Sequence, residues 1–141
     1  MNVFAIRHGQ TAWGLRGRHT GTTDIPLTDD RRRLAERMRS VLVTNPFAPV
    51  LCGPRARQTG ELEAAEQVGT RVDRVIARSC AVAGDIVLFA QGHALRTLAA
   101  RRMRRAAGGG QHFLVFTGTI CALTDYRAIP AVRPWNAPRV D

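Results

Sequence analysis

Five consecutive residues near the amino terminus, Arg7-His8-Gly9-Gln10-Thr11, bring a guanidinium, an imidazole, a side-chain-free backbone position and a hydroxyl within one short stretch. These are groups that a phosphate needs. A neutral imidazole nitrogen can attack phosphorus if its other nitrogen is held as a donor, and a neighbouring guanidinium neutralises the equatorial oxygens. Two other places carry complementary groups: Arg55 and Arg57 in one, Gln91-Gly92-His93 in the other. A lone histidine after a strand is more often a structural residue, so the reading depends on whether the fold brings these three places together.

The elements that would do so can be read from hydrophobic pattern. Val3 to Ile6 is an unbroken apolar run, as expected of a buried strand that delivers polar residues at its carboxyl end. A Gly- and Thr-rich loop follows, from Gly14 to Pro26. Thr28 then stands at an N-cap with Asp29 and Asp30 in the first turn, where the helix dipole favours negative charge. Leu34, Met38, Val41 and Leu42 give that helix its apolar stripe, and Asn45-Pro46 ends it.

Val50 to Cys52 is a second short apolar run, closed by Gly53-Pro54. After it comes a helical stretch with Val68, Val72, Val75 and Ile76 on its buried side. Asp85 to Ala90 is the clearest strand, and Gln91-Gly92-His93 leads from it into a helix carrying Leu95, Leu98, Ala99 and Met103. That helix, starting near Ala94, would aim its free N–H groups at the same anion. The triple glycine Gly108–Gly110 is expected to break it. Ile120 to Leu123 supplies a last strand, and the tail with Pro130, Pro134 and Pro138 reads as irregular surface wrapping. Strand, polar turn and helix thus recur three times. The expected class is α/β, a three-layer, mainly parallel sheet flanked by helices, with a site at the carboxyl ends of its strands.

Composition bounds the rest. The 141 residues, 45% apolar and 23% charged, describe a single domain over residues 1–141 and exclude a disordered or collagen-like chain. All 21 basic residues are arginine, against 11 acidic ones, for a net charge of +10 that attracts anions. A nucleic-acid-binding module is the different-class alternative, motivated by Arg31-Arg32-Arg33 and Arg101-Arg102-Met103-Arg104-Arg105. It is disfavoured because no aromatic residues interleave with the arginines and no nucleic-acid motif is present. Cys52, Cys80 and Cys121 form an odd set without C-x-x-C spacing, which argues against a disulfide framework or a zinc site and for a cytoplasmic location. No run reaches the roughly 18 apolar residues of a membrane span, and the start of the chain does not read as a signal peptide.

Taken together, the chain resembles the histidine phosphatase superfamily, in its phosphoglycerate mutase-like and acid phosphatase branch. The resemblance is carried by Arg7-His8-Gly9-Gln10-Thr11-Ala12-Trp13 and by the loop from Gly17 to Thr28. It extends to Arg55-Ala56-Arg57-Gln58-Thr59, to Gly92-His93-Ala94-Leu95-Arg96 and to Trp135-Asn136-Ala137-Pro138. It implies that His8 becomes phosphorylated, that Arg7 and an arginine after the second strand clamp the phosphate, and that Thr11 adds a hydroxyl. Thr22 in the loop and the Gln91-Gly92-His93 turn would complete the pocket. Neither a metal nor a cofactor is implied, and the partner would be a phosphorylated small molecule.

Three departures qualify the resemblance. Where the family has its second catalytic histidine, this chain has Gln91, and His93 matches a variable pocket position. The segment that would supply a proton-donating acid is missing between Leu62 and Glu66; Glu61, Glu63 and Glu66 are the available substitutes, each more readily read as a solvated helix residue. Pro54 is followed at once by Arg55, so either Arg55 or Arg57 can be the second clamp. The expectation is a phosphate-monoester hydrolase working through phospho-His8 at much reduced rate. The alternatives are an inactive phosphate-binding or vestigial relative, including a shortened domain that folds poorly.

Overall fold

The computed structural model describes residues 1–7, 28–52 and 64–137. Among the described residues, five strands and three α-helices follow one another: β1 (Val3–Arg7), α1 (Asp29–Val43), β2 (Phe47–Cys52), α2 (Ala65–Cys80), β3 (Asp85–Ala90), α3 (Gly92–Arg102), β4 (Ile120–Tyr126) and β5 (Ile129–Val132), with a 3-10 turn at Ala107–His112. The strands form one sheet in the order β2-β3-β1-β4-β5. β3 pairs parallel with both β1 and β2, whereas β4 runs antiparallel to β1 and to β5. Four of the five strands therefore point the same way.

Both faces of the sheet are covered, as the unbroken apolar strands require. On one face Val68 and Val72 of α2 and Leu95, Leu98 and Ala99 of α3 pack against Val3, Ala5, Leu88, Cys121 and Leu123. On the other, Leu34 and Met38 of α1 meet Ile6 and Val87. Successive residues of β1 thus alternate between the two cores, and the architecture is the expected helix–sheet–helix sandwich. The side chain of Val41, counted in the α1 stripe, lies outside the described residues. α1 also borders an apolar cavity of about 500 Å³, lined by Leu34, Met38, Leu42, Phe47, Val87 and Phe89 among others.

Polar contacts tie the elements together. Asn2 donates to Asp85 from its backbone N–H (2.8 Å) and its Nδ2 (3.0 and 3.1 Å), registering β1 against β3. These hydrogen bonds hold the Asp85 carboxyl below the usual aspartate range. Arg101 Nε and Nη2 grip both oxygens of Asp73 at 2.8 and 2.7 Å, joining α3 to α2, and Arg102 pairs with Asp125 of β4. Two arginines of the basic run are therefore internal fasteners. Among the described residues no helix is long and apolar enough to cross a membrane.

The carboxyl-terminal third departs from expectation in two ways. α3 ends at Arg102, before the triple glycine: Arg104 adopts a left-handed φ of 58°, Arg105 N donates to Ala100 O at 2.8 Å and Arg104 N to Arg101 O at 2.9 Å. That is a Schellman closure with arginine in the position glycine usually takes, and the glycines form the 3-10 turn instead. The tail is also no irregular wrap. Arg127 and Ala128, at φ 50° and 63°, turn the chain into β5, which pairs with β4 from Tyr126↔Ile129 to Leu123↔Val132. Residues 133–137 continue along β4, with Ala137 bridged to Ile120. Pro130 is tolerated because β5 is an edge strand.

Candidate active site at the strand ends

Because β2, β3 and β1 are adjacent and parallel, their carboxyl ends share one sheet edge. Cys52 stands beside Phe89 and Arg7 beside Ala90, so the segment after β2, the Gln91-Gly92-His93 turn and the residue before His8 start from neighbouring points. Strand order thus makes the chain's exits from the three strands neighbours. His8, Thr11, Thr22, Arg55 and Arg57 themselves lie outside the described residues, as do Glu61 and Glu63. Glu66 sits exposed in the first turn of α2.

Arg7 is described in detail. As the fifth residue of β1 it shares the face of Val3 and Ala5, and its guanidinium points to the α3 side of the sheet. Nη1 donates to the Val115 carbonyl at 2.9 Å. Its Nε and Cζ lie against Gly92 so closely that a Cβ there would come within 3.0 and 3.1 Å of them. The apolar cavity beside α1 is lined mainly by residues of the opposite face, with Arg7 also at its border.

Gln91 is the half-buried N-cap residue of α3, with extended backbone (φ −71°, ψ 153°) and no capping bond from its side chain. Its carbonyl accepts the Leu95 N–H at 3.0 Å. The N–H groups that precede Leu95 in the helix have no acceptor within it and carry the positive end of its dipole. His93, in the first turn, is exposed. The structure thus joins Arg7, Gly92 and the start of α3 into one positively polarised corner, suited to an anion.

One participant has no side-chain signature in the sequence. The Val115 carbonyl is a backbone group on the segment before β4, and only the neighbouring Trp135-Asn136 pair, which holds that segment, stood out as a motif. Trp135 Nε1 and Asn136 Nδ2 both donate to Leu114 O, at 2.6 and 2.7 Å.

Known proteins resemble this chain in sequence over its first half and in fold. The family model of the histidine phosphatase superfamily (branch 1) matches residues 3–66. An acid phosphatase of Mycobacterium tuberculosis is 40% identical over 77 residues, 52% of this chain and 36% of that protein. A 2,3-bisphosphoglycerate-dependent phosphoglycerate mutase of Gloeobacter violaceus is 41% identical over 69 residues, 46% of this chain and 32% of that protein. The chain thus spans about a third of the length of the curated relatives it matches. The alpha-ribazole phosphatase of Shigella flexneri superposes with a TM-score of 0.82 at 20% identity, covering 97% of this chain and 96% of that one, which establishes likeness of fold. Residues 3–66 are thus similar to the histidine phosphatase superfamily (branch 1), and the sheet with its flanking helices shares the fold of the alpha-ribazole phosphatase.

Proposed function

We propose that this protein hydrolyses phosphate monoesters of small molecules through a phosphorylated His8, at a rate well below that of a fully equipped relative. The observation that carries the reading is the placement of Arg7, braced by Val115 and Gly92 at the edge where three strands end. In the first step a neutral imidazole nitrogen of His8 forms a bond to phosphorus while the ester P–O bond breaks, and the leaving oxygen takes a proton. In the second, water forms a new P–O bond as the N–P bond breaks, releasing inorganic phosphate and restoring His8. Arg7, with Arg55 or Arg57, neutralises charge on the equatorial oxygens, and Thr11, Thr22, Gly92 and His93 complete the pocket. Hydrolysis is favoured over mutase chemistry, because the missing segment would also have held a larger bisphosphorylated substrate.

The reduced rate follows from two absences in the sequence. A preorganised group that stabilises transition-state charge is worth about 2.7–4 kcal/mol, and Gln91 supplies a neutral amide where the family has a histidine. Loss of a general acid costs on the order of a hundredfold to ten-thousandfold. The two need not multiply, since groups acting as a unit are non-additive.

Rapid quenching at alkaline pH after mixing with an aryl phosphate tests the intermediate. Intact-mass analysis is expected to find one acid-labile phosphoryl group on the protein and none on His8→Ala. A second reading, phosphate binding without turnover, is motivated by Gln91; it predicts bound inorganic phosphate but no covalent adduct.

A further inference from the structure

The guanidinium of Arg7 is held by a backbone carbonyl, so whatever fixes that carbonyl also fixes Arg7. The Val115 carbonyl and the Phe116 N–H belong to one peptide group. Its oxygen accepts from Arg7 Nη1 at 2.9 Å, and its N–H donates to Asn136 Oδ1, also at 2.9 Å. In this trans peptide the carbonyl and the N–H point opposite ways, so Arg7 and Asn136 grip opposite edges of the same plane. Hydrogen bonds linked head to tail through one amide polarise each other.

Asn136 is built for this position. Its φ of 51° is left-handed, a conformation asparagine accepts more readily than most residues. Every polar atom of its side chain is engaged: Oδ1 accepts from Phe116 N and from Thr119 Oγ1 at 3.0 Å, and Nδ2 donates to Leu114 O at 2.7 Å. Its own N–H donates to the buried Cys121 sulfur at 3.3 Å, anchoring it to β4. Leu114 and Phe116 are exposed while Val115 is 3% exposed, so the segment would have little of its own packing besides Val115 to set the angle of that carbonyl.

We propose that Asn136 is a positioning residue for the phosphate clamp: it sets the orientation of the 115–116 peptide, and through it the guanidinium of Arg7. The inference rests on the function proposed above for the significance of Arg7, but not for the coupling itself. The coupling is read by the Nε–Hε resonance of Arg7 in nitrogen-15-labelled protein, assigned by its loss in Arg7→Lys. Asn136→Gly keeps the left-handed backbone and removes the side chain; the Arg7 resonance should shift and its hydrogen exchange with water should quicken about tenfold. Asn136→Asp keeps an acceptor for the Phe116 N–H but sets its second oxygen against the Leu114 carbonyl, so its Arg7 resonance should fall between those of wild type and Asn136→Gly. The reciprocal arm needs no variant at position 136 to fold: Arg7→Met should move the Phe116 amide resonance.

An unchanged Arg7 resonance in folded Asn136→Gly, or an unchanged Phe116 amide in Arg7→Met, would overturn the inference. Inorganic phosphate, titrated into the same samples, should bind about tenfold more weakly to Asn136→Gly, the scale of one impaired charge-assisted hydrogen bond. Wild-type protein that binds no phosphate would count against the proposed function, while the resonances would still decide the coupling.

Discussion

The guanidinium of Arg7 lies directly against the Cα of Gly92, with room for no side chain between them: a Cβ at position 92 would stand 3.0 Å from Arg7 Nε and 3.3 Å from its Cδ. Contacts of 3.0–3.3 Å are tighter than carbon normally makes, so a side chain at position 92 pushes the guanidinium out of its place by a few tenths of an ångström. Gly92→Ala should therefore weaken phosphate binding by part of the value of a well-placed charged hydrogen bond, whose whole worth is about 1.5–3 kcal/mol. Alanine is a better helix former than glycine by up to about 1 kcal/mol, so α3 should not suffer. A calorimetric phosphate titration beside a thermal melt checks the prediction: affinity falls severalfold, up to about tenfold, while the melting temperature holds or rises.

A different glycine guards the fold. Gly118 has a left-handed φ of 73°, and a Cβ there would come within 2.4 Å of Leu34 Cδ2 on α1. Gly118→Ala combines a left-handed penalty of about 1–2 kcal/mol with overpacking of about 1–3 kcal/mol. Denaturant unfolding should show a loss of about 2–5 kcal/mol, carried by a lower midpoint with little change in slope.

The fastening of Asn2 to Asp85 makes stability depend on pH in a definite direction. Hydrogen bonds from the Asn2 side chain and backbone lower the folded-state pKa of Asp85, so the folded protein binds the proton less readily than the unfolded chain. The contribution is fully present above the ordinary aspartate value of about 3.9 and fades as pH falls through the lower folded value. Asp73, lowered chiefly by its hydrogen bond from Arg101, behaves alike. Asp85→Asn should be less stable than wild type at pH 7, and the gap should narrow at pH 3; equilibrium urea unfolding at the two pH values measures it.

What the sequence made legible follows the physics of each element. β3 has the expected bounds because Asp-Ile-Val-Leu-Phe-Ala is apolar on both faces, as a strand between two others must be. α1 begins after Thr28 as its two aspartates indicate, although Thr28 makes no side-chain cap bond. β2 starts at Phe47, earlier than its apolar run suggested, because an edge strand can hold Pro49. β5 left no signal: its turn uses Arg127 and Ala128 at left-handed φ, where asparagine and glycine normally mark a hairpin. The end of α3 was hidden for the same reason at Arg104. Of the site, the strand-turn-helix passages that carry Arg7 and the Gln91-Gly92-His93 turn were legible, whereas the strand order and the Arg7–Gly92 contact depend on tertiary packing, and the Val115 carbonyl is backbone and bears no residue-type signature.

The central claim, that His8 is a working nucleophile in a site poor in acid catalysis, is tested most directly by initial rates. p-Nitrophenyl phosphate and 3-phosphoglycerate are compared with wild type and His8→Ala, both verified as folded. A nitrophenolate needs little protonation to leave, so the account predicts measurable aryl ester turnover that vanishes in His8→Ala, with the alkyl ester slower by at least about a hundredfold. Equal background rates from the two folded proteins would contradict it.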